Sequence, residues 1–363
     1  MKKILTVAVL LLWACQLLTG CSLWMDGSYY SVEPHLEENA GTAEESVEIH
    51  SYTQLCDALA ELVEDGSVKG MIYAPDLTQS QLELYMNMAK RDVLQSNPIG
   101  AYAVDEIAYE VGTSTGKTAI ALEITYNHGR SEILRIKQTK NMDEAIGVIT
   151  KALDNCDAGV VLRVENYEKE DFTQMVQDYV DANPQVCMEM PQVAVAIYPE
   201  SGTDRVVELT FTYQTSRETL RSMQDTVQPI FSSAKLYVSV DAENWEKYTQ
   251  LYSFLMGRDQ YTIETSITPS YSLLRHGVGD SKAFATVYAA MCNQAGLECQ
   301  VVSGTKAGEA WYWNMLLEEG VYYHVDLLQC SYFGRFQAKT GEQMNGYVWD
   351  YSAYPLVPAD PEE

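Results

Sequence analysis

The strongest constraint on the fold is a match between two stretches of the sequence that lie about 86 residues apart. Asn97-Pro98 and Asn183-Pro184 each precede a short apolar strand pattern, and a second strand of alternating apolar and polar residues follows in both copies. This alternation is typical of a strand with one buried face. The match indicates duplication of one α/β unit, with a chance match of common strand patterns as the alternative.

We therefore predict two related α/β units, over residues 48–153 and 154–240. The predicted strand over residues 107–111 of the first unit corresponds to the one over residues 193–198 of the second. The strand over residues 119–126 likewise corresponds to the one over residues 206–213. Helical patterns over residues 143–153 and 216–230 are predicted to close the first and second units, respectively.

The start of the chain is typical of an export signal. Met1-Lys2-Lys3 is cationic, and the apolar run over residues 4–18 is shorter than the roughly 20 residues that a membrane-spanning helix needs. Leu18-Thr19-Gly20-Cys21 then resembles the lipobox of bacterial lipoproteins. This resemblance implies removal of residues 1–20, lipidation of Cys21 and anchoring to the outer face of the cytoplasmic membrane or within the envelope. An ordinary cleaved signal is the alternative.

Residues 21–47 are rich in Glu and Ser, show little periodicity and are predicted to be a flexible tether. The formal net charge of the chain is −27, and residues 1–20 carry two lysines and no acid, so their removal makes the charge more negative. A surface this acidic repels the phosphate backbone, which excludes nucleic acid as the main partner.

No motif for a metal or an organic cofactor is present. The cysteines that follow residue 21 form no CxxC pair and no cluster with histidine at metal-ligand spacing. The segment over residues 112–118 is similar to a phosphate-binding loop but has one residue too few between its glycines, and its flanks favour a β-hairpin turn. We predict neither metal nor cofactor, and the sequence leaves disulfide pairing open. The six cysteines are Cys56, Cys156, Cys187, Cys292, Cys299 and Cys330.

The C-terminal third has two amphipathic helix patterns followed by strands. Helices are predicted over residues 244–256 and 281–295, with Gly296 as the stop of the second. Strands are predicted over residues 299–303, 311–317 and 321–325.

This order of elements carries motifs that resemble the transglutaminase-like family of bacterial proteins, whose fold is papain-like. The matching segments are Ala295-Gly296-Leu297-Glu298-Cys299, Val302-Ser303-Gly304, Trp313-Asn314 and Tyr322-Tyr323-His324-Val325-Asp326. The resemblance spans residues 244–330 and implies a transglutaminase-like, cysteine-protease-like α+β domain, which we bound at residues 241–345, with a tail over 346–363. The predicted class of the whole chain is α+β, two related α/β units followed by this domain.

The resemblance also locates the family's catalytic triad, and two of its three positions are replaced. The nucleophilic cysteine's position falls on Ser281 and the histidine's on Trp311, while the acid is retained as Asp326. A serine hydroxyl needs a base to take its proton, and an indole nitrogen can only donate. The family's activity is therefore not expected, and we predict a pseudoenzyme that acts by binding or scaffolding at the cell envelope.

Alternatives remain at this stage. His276 precedes Ser281 by five residues and could serve it as a base, which would make the chain a Ser281-dependent amide hydrolase or acyl transferase. A third hypothesis is an assembly component of an envelope complex. The candidate ligand cleft comprises Trp311, Tyr312, Trp313 and His276, and the candidate partners are the membrane, through the lipid anchor, and an envelope protein, peptide or glycan.

Overall fold

A computed structural model describes residues 46–114, 116–257, 260–261 and 269–354. The predicted signal peptide, Cys21 and residues 22–45 of the predicted tether lie outside these ranges. Within them, no helix is both long enough and apolar enough to cross a membrane.

The first α/β unit is a four-stranded sheet with the order β1-β2-β4-β3. Strands β1 and β2 run parallel, and the other neighbours run antiparallel. Its elements are β1 (Ser46–Glu48), α1 (Tyr52–Glu64), β2 (Lys69–Tyr73), α2 (Gln79–Ser96), α3 (Pro98–Ala103), β3 (Val104–Ser114) and β4 (Lys117–Tyr126). The segment similar to a phosphate-binding loop joins β3 to β4 as a hairpin, as predicted.

The second unit repeats this topology after a short helix, α4 (Arg130–Ile133). Its sheet has the order β5-β6-β8-β7, with β5 parallel to β6 and the other pairs antiparallel. The elements are β5 (Lys137–Asn141), α5 (Met142–Asp154), β6 (Gly159–Asn166), α6 (Phe172–Ala182), β7 (Gln192–Tyr198) and β8 (Arg205–Thr212). The two sheets thus share one topology, as duplication of a single unit would produce. The common origin of the two units stays a prediction.

The boundary predicted between residues 153 and 154 is wrong. The helix that was expected to close the first unit is α5, which connects the parallel strands β5 and β6. Parallel neighbours require a crossover of this kind. Ala145, Ile149 and Leu153 of α5 are buried in the core of the second unit, with Leu162 and Val207. The second unit therefore begins near β5. The predicted tether over residues 21–47 is also too long at its end, because β1 begins at Ser46.

The helix predicted over residues 216–230 is present as α7 (Arg217–Tyr237). It belongs to the C-terminal core, so the prediction that it closes the second unit is wrong. Its apolar face includes Leu220, Val227 and Phe231, which pack in one cluster with Leu251 and Phe284. A helix buries its apolar stripe where a matching surface exists, and here the C-terminal helices supply that surface.

The C-terminal domain places helices against an antiparallel sheet with the order β13-β12-β11-β14. The predicted helices at 244–256 and 281–295 are confirmed. The elements are α8 (Asn244–Met256), β9 (Gln260–Tyr261), α9 (Pro269–His276), β10 (Val278–Gly279), α10 (Ser281–Gln294), β11 (Cys299–Lys306), β12 (Glu309–Glu318), β13 (Val321–Val325), α11 (Leu327–Phe333), a 3-10 turn (Gly341–Gln343) and β14 (Tyr347–Trp349).

The predicted tail over 346–363 is wrong at its start, because β14 pairs with β11 and completes the sheet. Trp349 is 6% exposed and packs against Trp313 in the core behind the sheet. An aromatic side chain of this size stabilises the fold by burial, so the domain extends past residue 345.

Candidate functional site

The site begins at the N-terminus of α10, where the family resemblance predicts the nucleophile's position. Asp280 is the N-cap, and its Oδ1 accepts a hydrogen bond from the Ala283 N–H at 2.8 Å. Ser281 is the first helical residue and is 7% exposed. Its Oγ accepts a hydrogen bond from the Tyr312 N–H of β12 at 3.3 Å. The Asn314 side chain donates to the Ala285 carbonyl at 2.8 Å, which also holds the helix against this strand.

Asp326 lies at the end of β13 and also caps α11, through the Gln329 N–H at 3.0 Å from its Oδ1. The other oxygen, Oδ2, accepts three side-chain hydrogen bonds. The donors are Trp311 Nε1 at 2.9 Å, Lys306 Nζ at 2.7 Å and Tyr347 Oη at 2.6 Å. The indole of Trp311 therefore bonds the Asp326 carboxylate directly.

Lys306 strengthens this arrangement by charge. Its ammonium pairs with the Asp326 carboxylate and lies 4.8 Å from the ring centre of Trp311 and 5.2 Å from that of Tyr347, within cation–π range. Burial, followed by the hydrogen bond to Asp326, raises the pKa of Tyr347, so the phenol stays a donor. The carboxylate is thus held by charged and neutral donors on one oxygen.

Trp313 is not part of a ligand cleft, which corrects that prediction. Its side chain is 1% exposed, and its Nε1–H donates to His324 Nδ1 at 3.0 Å. His324 is equally buried, and burial lowers its pKa to about 4. The neutral ring therefore carries its proton on Nε2. The alternating pattern of β12 points Trp313 and Trp311 to the same face, where Trp313 is fully buried and Trp311 is partly buried against the cluster that contains Tyr347 and Trp349 of β14.

His276 is the last residue of α9 and is exposed. In the described part of the chain, the hydrogen-bond partner of Ser281 Oγ is the Tyr312 N–H, and no histidine nitrogen bonds it. Trp311 and Tyr312 are half-buried beside Ser281 and Asp326. The structure therefore brings together Ser281, Trp311, Tyr312 and Asp326, and it places His276 at the surface.

Two residues of the site were missed by the sequence analysis, Lys306 and Tyr347. Lys306 was missed because β11 was predicted to end at residue 303, although the strand continues to Lys306. Tyr347 lay in the predicted tail. Cys292, three turns into α10, is fully buried, and burial raises the pKa of its thiol well above the usual value. Across the described ranges, no group of three or more His, Cys, Asp or Glu side chains is arranged to hold a metal ion.

Comparison with known proteins agrees with this fold. Residues 234–351 match the model of the transglutaminase-like superfamily, so the chain is a mixed α+β protein that contains a transglutaminase-like domain. No curated protein matches the chain.

The solved structures that are similar to this chain include the following three. A transglutaminase (TGase) is 10% identical, with 60% of this chain and 63% of that chain covered and a TM-score of 0.25. A candidate cysteine protease from Cytophaga hutchinsonii is 12% identical, with 46% and 70% covered and a TM-score of 0.25. A candidate protease from Parabacteroides distasonis is 10% identical, with 70% and 39% covered and a TM-score of 0.24. The chain thus spans less than two thirds of the first of these structures.

Proposed function

We propose that this chain is an exported envelope lipoprotein whose transglutaminase-like domain binds a ligand and does not catalyse acyl transfer. The observation that carries the proposal is the hydrogen bond from Trp311 Nε1 to Asp326 Oδ2 at 2.9 Å. It supports the view that an indole stands in the base's place and makes the base's contact with the acid.

The chemistry of the family explains why this substitution matters. A cysteine nucleophile needs an imidazole that takes its proton, and the acid orients that imidazole. The indole of Trp311 can donate to Asp326 but has no lone pair that could accept a proton from Ser281. Members of such a unit act together, and the loss of one removes most of its rate enhancement. The ammonium of Lys306 also pairs with the Asp326 carboxylate, on the same oxygen that accepts the hydrogen bond from Trp311.

The same substitutions preserve features of a binding surface. Trp311 and Tyr312 remain partly exposed beside the start of α10. Aromatic rims of this kind recognise peptides and glycans by stacking and apolar contact. An anchor at Cys21 would hold this surface at the envelope, where both kinds of ligand occur.

The decisive experiment restores the triad. The full chain, Ser281→Cys and the double variant Ser281→Cys with Trp311→His are compared for alkylation by iodoacetamide at neutral pH and for hydrolysis of, and amine transfer to, glutamine peptides. We expect no turnover by the wild-type chain. We expect the introduced thiol at position 281 to be alkylated at least about tenfold faster in the double variant than in the single variant, because an imidazole lowers the thiol's pKa.

Ser331→Ala, at an exposed serine of the same domain, is the matched control for removal of a hydroxyl. Turnover by the wild-type chain that Ser281→Ala abolishes and Ser331→Ala leaves intact would contradict the proposal and establish a Ser281-dependent hydrolase or transferase. A stable protein partner that co-purifies with the inactive chain would instead identify an assembly component.

A further inference from the structure

A cavity with a volume of about 400 Å³ lies between the second α/β unit and the C-terminal domain. This volume is within the range of small-molecule sites in proteins. Helix α6 and the segments that follow α6 and β8 form the wall on the side of the second unit. The first turns of α9 and α10 form the other wall, which includes Lys282, the residue after Ser281. The cavity therefore adjoins the start of α10, where the degenerate triad begins.

The charged side chains of the cavity already have partners within the protein. Glu189 is 8% exposed, and its two oxygens accept the Gln214 N–H at 2.5 Å and the Thr215 N–H at 3.2 Å. These N–H groups lie just before α7, and the positive end of that helix's dipole also stabilises the carboxylate. Asp181 Oδ2 accepts a hydrogen bond from Lys282 Nζ at 2.9 Å. Because each charge is engaged, the lining favours a ligand without charge.

Uncharged polar groups supply the rest of the hydrogen-bonding capacity. The side-chain amide of Gln214 and the hydroxyls of Thr215 and Ser270 line the cavity. Gln214 is exposed and the other two residues are half-buried, so a ligand can reach them. An amide and a hydroxyl each donate and accept hydrogen bonds. They are therefore suited to a ligand that itself donates and accepts through neutral hydroxyls.

Apolar side chains line the same space, namely Val180, Pro184 and Met190. A sugar ring has apolar C–H groups on its faces and hydroxyls around its edge. The C–H groups gain free energy when an apolar wall removes them from water, and the hydroxyls need polar partners when they are buried. The mixture of apolar and neutral polar groups in this cavity meets both requirements.

An aromatic ring lies beyond the cavity, on the side of Lys282. The Nζ atom of Lys282 is 5.8 Å from the ring centre of Tyr312. Tyr312 is half-buried beside Ser281, whose hydroxyl accepts its N–H. Aromatic faces pack well against apolar C–H groups. A sugar that extends from the cavity past Lys282 would therefore contact Tyr312.

From this arrangement we propose that the cavity is a subsite for a neutral oligosaccharide. One sugar ring lies in the cavity, with its hydroxyls bonded to Gln214, Thr215 and Ser270 and its C–H groups on the apolar wall. The next ring contacts Tyr312. The inference rests on the proposed function, because Tyr312 belongs to the binding surface proposed above, and it names a glycan as the ligand of that surface.

Isothermal titration calorimetry on the full chain tests the proposal with matched trisaccharides. Chitotriose and cellotriose are neutral and differ in whether they carry acetamido groups. Fully deacetylated chitotriose is the cationic counterpart, and trigalacturonate is the anionic one. We expect at least one neutral trisaccharide to bind at millimolar concentration or below, and both charged counterparts to bind at least about tenfold more weakly.

Two variants test the assigned contacts. Gln214→Leu keeps the size of an exposed side chain and removes its amide, and we expect it to weaken binding of the neutral trisaccharide about threefold or more. Tyr312→Ala removes the ring, and we expect a loss of about threefold or more. The matched controls are Gln138→Leu and Tyr332→Ala, at an exposed glutamine of the second unit and an exposed tyrosine of the C-terminal domain. Both controls should bind as the wild type does.

The proposal is overturned if neither neutral trisaccharide binds at millimolar concentration, or if a charged counterpart binds as tightly as the neutral sugars. Wild-type affinity in Gln214→Leu, or in folded Tyr312→Ala, would also overturn it. If a glutamine peptide binds and the sugars do not, the surface binds peptide, so this inference fails while the proposed function stands. Turnover that depends on Ser281 would contradict the proposed function and leave the measured saccharide affinities unchanged, so the two failures are distinguishable.

Discussion

At the scale of single residues, the two buried polar side chains Asp326 and His324 differ in their surroundings: Asp326 has an ion-pair partner and His324 has none among the described residues. Asp326 pairs with Lys306, whereas His324 is neutral because burial lowers its pKa to about 4. The two residues are two positions apart, yet one faces the ammonium and the other faces Trp313 and Trp349. The neutral histidine has a consequence for stability as pH changes.

The fold should lose stability as the pH falls from neutral toward 4. Between the ordinary histidine pKa of 6.5 and the folded value of about 4, the unfolded chain binds a proton at His324 that the folded chain excludes. The stability from neutral His324 is therefore fully present above pH 6.5 and lost as the pH falls. Between pH 7 and pH 5 this amounts to about 2 kcal/mol.

Urea unfolding of the wild-type chain and His324→Gln at both pH values measures this difference. The variant should be less stable at pH 7 but should lose about 2 kcal/mol less on acidification than the wild type does. His276→Gln, at an exposed histidine, should behave like the wild type. Equal acid sensitivity of the wild type and His324→Gln would show that His324 is not buried in its neutral form.

At the scale of secondary-structure elements, α10 organises the C-terminal domain. Residues along nearly all of its faces are buried, including Ala283, Phe284, Val287 and Met291. The helix contacts the helices α6, α7, α8 and α9 and the strands β11 and β12. Because it is enclosed, its N-terminus cannot fray into solvent without disturbing Ser281 and the strand beside it.

The cap at Asp280 should therefore matter for the whole domain. Asp280→Ala removes the acceptor of the Ala283 N–H, and we expect a loss of about 1 kcal/mol in the free energy of unfolding. Asp280→Asn keeps an acceptor and should lose only a few tenths of a kcal/mol, from the weaker interaction with the helix dipole. Chemical denaturation at neutral pH measures both. An alanine variant as stable as the asparagine variant would show that water replaces the cap.

At the scale of the whole molecule, the three parts are joined by packing and by ion pairs, among them Lys282 of the C-terminal domain with Asp181 of the second unit. Arg163 of the second unit pairs with Asp204 of its own unit at 2.7 Å and with Glu64 of the first unit at 3.1 Å. Met188 of the second unit is 1% exposed within the C-terminal core. The C-terminal domain is therefore built partly from residues that precede the segment matched by its family.

The proposed anchor also belongs to this scale. When the full chain is expressed in a bacterium supplied with radiolabelled palmitate, we expect label on the protein and recovery in the membrane fraction. Cys21→Ser should lose the label and leave the membrane fraction, and Cys56→Ser should behave like the wild type. Label that persists in Cys21→Ser, or that is absent from the wild type, would argue against lipidation at this cysteine.

The sequence predicted local periodicity well and long-range pairing poorly. Helix α8 was predicted with its observed ends because its apolar stripe is a property of one segment. Strand β5 was not predicted, because only Thr139 of its five residues is buried and the strand reads as a polar loop. Without β5, helix α5 appeared to end the first unit.

The same limit applied to the site. The positions of Ser281, Trp311 and Asp326 follow from motif spacing, which is local to a few elements. The contacts of Lys306 and Tyr347 with Asp326 depend on the pairing of β11 with β12 and β14. The partners and register of a strand depend on how the whole sheet packs. These contacts could therefore not be predicted from the sequence of the separate strands.

The buried cysteines give the molecule a chemical record of how it comes apart. Cys187 lies in the core of the second unit, and Cys292 and Cys330 lie in the C-terminal core. Burial raises the pKa of Cys187 and Cys292, and that of Cys330 to about 11, so these thiols stay unreactive while their cores are closed. A brief pulse of an alkylating reagent during unfolding therefore modifies each thiol only after its own core has opened. The order of modification along the chain is the order in which its parts lose their packing.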